Sequence, residues 1–177
     1  IRTEIRRDKK GNAEVRKYPL CEEAKEHIRE MPVAYQNLLA SYQGGSLIIN
    51  KCELCEENGK IWDSFEFLEG RLLSELLDEC LEKEDMEGFC ALFRQYVERT
   101  GYNPEFAVAD FDLTFGNIVV QEEVWSVIDY EWTFGKAMDV KELAFRAVYC
   151  NLLEDKWRDK LDVSRILEEL GITDAEA

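Results

Sequence analysis

Hydrophobic and polar positions first alternate with a period of two and later shift to helical spacing. Arg2–Arg7 alternates, Asp8-Lys9-Lys10-Gly11-Asn12 is rich in turn formers, and Ala13–Tyr18 alternates again. This predicts a hairpin that Pro19 ends. From Glu22 to about Ser41, Ala24, Ile28, Met31, Tyr35, Leu38 and Leu39 recur at three- and four-residue spacing, which predicts a helix. Pro32 lies inside it and is expected to kink or split it. Gln43-Gly44-Gly45 interrupts the pattern. Leu47–Leu54 and Lys60–Leu68 then read as strands joined by Glu56-Glu57-Asn58-Gly59, and Asn-Gly is a strong hairpin signal.

Past Glu69-Gly70 the spacing turns helical, through Leu72, Leu73, Leu76, Leu77, Cys80 and Leu81, and again from Phe89 to Val97. Thr100–Phe106 reads as irregular. A short hairpin follows (Ile118–Val120 with Val124–Ile128), then helices over about Asp139–Leu153 and Asp155–Leu170. The expected fold class is therefore α+β. Residues 1–69 form a small sheet with one helix, residues 70–177 are mostly helical, and the boundary falls near Gly70.

Composition narrows the picture. At 177 residues and 46% hydrophobic, the chain can build one core or two small lobes sharing a cleft. No apolar run approaches the ~20 residues of a membrane helix. With 22 Lys+Arg against 38 Asp+Glu, the net charge is −16, which disfavours nucleic acid as a partner. Six scattered cysteines and no export leader point to reduced thiols in a cytoplasmic protein. The start at Ile1 suggests a piece of a longer protein. Cys52-x-x-Cys55 has no second pair, and His27 is the only histidine, so it reads as two strand cysteines rather than half a zinc site. His27, beside Ile28, reads as a packed and hydrogen-bonded residue. Trp125, Trp132 and Phe134 read as core, although Trp132 is near enough to the second acidic segment to line a pocket.

The chemistry concentrates in two acidic segments, Asp110-Phe111-Asp112-Leu113-Thr114-Phe115-Gly116-Asn117 and Ile128-Asp129-Tyr130-Glu131. Each adjoins an apolar strand, where carboxylates are costly unless paired or bound to a cation. A hairpin between them would bring Asn117 and Asp129 together as hard-oxygen ligands suited to Mg²⁺. Asp112, five residues before Asn117, would stand apart from the metal and could take a proton from a hydroxyl. Taken singly, these residues also suit turns and caps.

Asp-x4-Asn, an apolar strand, a short turn and a strand ending in Ile-Asp resemble the phosphotransferases of the protein-kinase-like fold. The likeness is to aminoglycoside phosphotransferases and choline/ethanolamine kinases. It implies a two-lobed fold and an ATP/Mg²⁺-dependent transfer of phosphate to a hydroxyl of a small molecule such as a sugar, an amino alcohol or a lipid precursor. It further implies Asp112 as base, Asn117 and Asp129 as Mg²⁺ ligands, Glu131 as a further metal contact, and Asp139 as a helix cap. Lys17 would contact nucleotide phosphates, with Glu26 or Glu30 of the following helix as its partner. Trp62–Leu73 resembles the hinge between lobes. Asp110 stands where those families carry histidine, Thr114-Phe115 where they often carry His-Pro, and no Gly-rich loop precedes Lys17. These departures support an alternative, a catalytically silent kinase-like module of a larger envelope- or glycan-building protein with a fused or associated transferase domain. A metal-dependent hydrolase using the same carboxylates is a weaker third reading.

Overall fold

The computed structural model describes residues 1–172. Ten short strands and five helices alternate along it. The first hairpin forms as its alternation requires: β1 (Arg2–Arg7) and β2 (Ala13–Tyr18) pair antiparallel, with Thr3 opposite Lys17. Helix α1 spans Ala24–Ser41 and buries Ile28, Met31 and Leu38. Pro32 neither splits nor ends it. The local cost is one missing N–H, which the buried face of the helix outweighs.

The long strand expected at Leu47–Leu54 is two strands serving different sheets. β3 (Leu47–Ile49) pairs parallel with β9 (Val124–Val127). β4 (Cys52–Glu57) pairs antiparallel with β5 (Lys60–Glu66). The switch falls at Asn50, which donates its backbone N–H to the Val127 carbonyl at 2.9 Å and its side-chain amide to the Glu66 carbonyl at 2.9 Å. Asn58 and Gly59 carry φ of 51° and 75°, the left-handed pair that a two-residue hairpin demands.

The first sheet has the order β1-β2-β5-β4, and the second β3-β9-β8-β6, with β6 at Arg71–Leu72 and β8 at Ile118–Gln121. The second sheet ties the two halves together, because β3 comes from before Gly70 and β9 from after it. Helices α2 (Leu73–Glu82) and α3 (Met86–Thr100) pack Leu73, Leu77, Leu81, Phe89, Phe93 and Tyr96 into a core that continues from Met31 of α1 to Ile166. Asp85 caps α3 through the Gly88 N–H, and Asp139 caps α4 (Val140–Glu154) through the Lys141 N–H at 2.7 Å. The last expected helix is shorter. Lys156–Lys160 is a 3₁₀ turn, and α5 covers only Val163–Glu169. Asp155 and Asp162 each cap the element after them, so the chain restarts rather than continues. Arg158, buried in the 3₁₀ turn, pairs with Asp78 of α2 at 2.7 Å.

Candidate active site

Lys17 and Asp63 occupy opposite positions on adjoining strands β2 and β5, on the sheet face that also carries Val15 and Phe65. Lys17 is only 4% exposed. A buried ammonium needs charged partners, and it has two: Nζ lies 2.8 Å from Asp129 Oδ1 and 2.6 Å from Glu131 Oε1. Both come from the segment after β9, more than a hundred residues away in sequence. Neither glutamate expected as the lysine's partner is among them. Glu26 is exposed on α1 and faces Arg29 at 3.7 Å, and Glu30 is exposed one turn on. The residue of α1 that reaches an acidic partner is His27, whose Nε2 is 3.4 Å from the second oxygen of Glu131, while Glu30 lines the recess beside them. One helical position separates Glu26 from His27, about 100° around the axis, and that offset decides which reaches the cleft.

The two acidic segments meet at both ends. On one side the β8–β9 hairpin continues into an Ile128 N–H to Asn117 carbonyl bond of 3.0 Å. On the other, β7 (Ala109–Asp110) pairs with β10 (Thr133–Phe134), and the Phe111 N–H donates to the Trp132 carbonyl at 2.9 Å. Asn117 donates its side-chain amide to the Asp112 carbonyl at 2.9 Å, which fixes the loop and leaves the amide oxygen as a side-chain acceptor.

Asp112 is half-buried. Desolvation, and then the Asp129 charge, push its pKa above the ordinary value, while Arg146 opposes them. Arg146 of α4 reaches one Asp112 oxygen at 3.5 Å, donates Nε to the Phe111 carbonyl at 2.9 Å, and stacks 4.0 Å over the Phe111 ring. Asp110 is buried. One of its oxygens accepts the Asp112 N–H at 2.9 Å and the other has no partner among the described residues. Burial pushes its pKa well above the ordinary value, and its bond to the Asp112 N–H shapes the loop.

Asp63 is 0% exposed, and neither carboxylate oxygen has an N–H or O–H donor among the described residues. Burial pushes its pKa up to about 7, against the opposing influence of the Cys52 thiol and Lys17. Cys52 itself is buried with its thiol pKa raised by desolvation, and Cys55 lies on the same strand; all six cysteines are free. Trp125 is core, as its sequence setting suggests. Trp132 is 59% exposed and Phe134 is also exposed, contrary to the expectation that both are core. Phe134 and Phe111 meet edge to face at 6.1 Å beside the acidic loop. This aromatic pair is set by the β7–β10 ladder, a long-range pairing that local sequence does not show.

The site thus sets Lys17 and Arg146 against Asp112, Asp129 and Glu131, one carboxylate more than the cations. Its donor set of carboxylates and an amide oxygen fits a hard dication. Among the described residues, no group of three or more His, Cys, Asp or Glu side chains is arranged to grip an ion, and Asp129 and Glu131 are both paired with Lys17. No family model matches the chain, and no curated protein is significantly similar to it.

Proposed function

We propose that the chain is an ATP- and Mg²⁺-dependent phosphotransferase that acts on a hydroxyl of a small molecule, within a two-lobed kinase-like architecture. One observation carries the reading: a buried strand lysine pairs with the acidic residues after a β-hairpin more than a hundred residues away, and those residues adjoin an Asp-x4-Asn loop. Asp112, with its raised pKa, would take the hydroxyl proton as the oxygen attacks the terminal phosphate. Arg146 would keep that carboxylate oriented. Asn117 and Asp129 would hold Mg²⁺, which when bound offsets charge on the phosphates. Lys17 would leave its carboxylates for the nucleotide phosphates, and Glu131, still facing His27, would remain beside it. Phe111, Phe134 and Trp132 offer an apolar wall for the acceptor.

Calorimetric titration with Mg·ATP, followed by phosphate release with water as a slow acceptor, tests this. Wild type is expected to bind nucleotide only with Mg²⁺. Asp112→Asn is expected to keep binding and its melting temperature while losing release by about 10²-fold or more. Folded protein that binds neither Mg²⁺ nor nucleotide would refute the assignment.

A second reading has its own support. Lys17 is already neutralised within the protein, as in a module whose cleft has become structural. That reading expects Lys17→Met to lower stability and leave every ligand titration flat.

A further inference from the structure

We propose that the free edge of β1 is a docking edge for an extended acidic polypeptide segment. β1 is the end strand of its sheet and pairs only with β2 among the described residues, so one side of its backbone ladder has no partner. Six residues long, it is large enough to template a further strand. Its charge is unlike the rest of the protein. Residues 1–18 carry seven Lys/Arg against three Asp/Glu, whereas the whole chain is −16. Three of the six β1 residues are arginine, and the Arg2 and Arg6 side chains are 58% and 51% exposed.

Charge on an edge strand commonly guards against aggregation. Here it is one-sided. Two β1 edges brought together would set arginine against arginine, while a strand carrying carboxylates at alternate positions would meet opposite charge. The outer face beside this edge adds a groove of about 540 Å³ around Tyr18 and Trp62, in which Arg2, Arg6, Arg16, Lys25 and Lys60 outnumber the one carboxylate, Glu57. Tyr18 and Trp62 lie 6.0 Å apart, with Arg2 and Arg6 over the first ring at 5.4 and 5.6 Å and Arg16 over the second at 5.0 Å. Glu4 and Glu14 now hold these arginines in place. A docked carboxylate would replace those contacts, and the ring–arginine stacks preset the guanidinium groups for it. The surface lies on the opposite sheet face from Lys17, so it does not depend on the phosphotransfer reading.

The test uses two six-residue peptides, one alternating Glu and Val and one alternating Lys and Val, with amide hydrogen exchange of the protein as readout. The Glu/Val peptide is expected to slow exchange across Arg2–Arg7, and the Lys/Val peptide is not. Combining Arg2→Glu with Arg6→Glu should weaken binding about tenfold or more, as the loss and reversal of two exposed pairs implies. Added salt should weaken binding to unaltered protein in the same direction, which keeps the idea testable if the double variant does not fold. Equal binding of both peptides, protection elsewhere but not at β1, or indifference to salt would overturn the proposal. So would concentration-dependent self-association that protects β1 without any peptide, because the occupant would then be a second copy of the chain.

Discussion

Asp63→Asn probes the least ordinary group in the protein. In the folded chain Asp63 keeps its proton up to about 7, whereas the ordinary aspartate value is 3.8. Between those values the unfolded chain has released a proton that the folded chain still holds. Stability therefore falls as pH rises across that window and levels off above it. At 1.36 kcal/mol per unit, the full span is worth about 4 kcal/mol, an upper figure for a side chain with no N–H or O–H donor. Asparagine keeps the shape and removes the titration. Urea unfolding from about pH 4 to about pH 8 should show the variant and wild type within about 1 kcal/mol at the acid end. The variant should then gain progressively, by as much as about 4 kcal/mol, with unchanged m-values. Parallel pH profiles would refute the reasoning, since they would mean that Asp63 is ionised in the folded state and solvated or paired.

Other perturbations read other parts of the design. Arg146→Ala removes the cation that lowers the Asp112 pKa, so the acid limb of the pH–rate profile for phosphate release should move to higher pH. A profile that keeps its acid limb would count against Asp112 as the proposed base tuned by Arg146. Gly70 has φ of 154°, and a Cβ there would lie 2.7 Å from both the Val120 carbonyl oxygen and a Val119 methyl. Gly70→Ala should accordingly cost about 1–3 kcal/mol in urea unfolding, and a neutral result would mean that the β6–β8 pairing shifts freely.

The local pattern carried most of the secondary structure. The β1–β2, β4–β5 and β8–β9 hairpins, helices α1 to α4 and the Asp139 cap all follow from period, turn residues and capping chemistry that act over a few positions. The acidic loop also stood out in the sequence, because Asp and Asn beside apolar strands are costly unless paired, and the fold pairs Asp129 and Glu131 with Lys17. Asp63 left a trace too. It stands between Ile61 and Phe65 at period two, a carboxylate on the apolar face of its own strand.

What the chain pattern could not supply was the choice of partners. Nothing near Lys17 names Asp129 and Glu131, since that pairing depends on two sheets meeting across more than a hundred residues. The family resemblance instead implies Glu26 or Glu30 of the next helix as the lysine's partner. The same non-local packing divided one apparent strand at Asn50, kept α1 continuous through Pro32, and turned Trp132 out to solvent. Short-range sterics and periodicity fix the elements, while the burial of charge can be balanced only by whatever the assembled fold brings within a few ångströms.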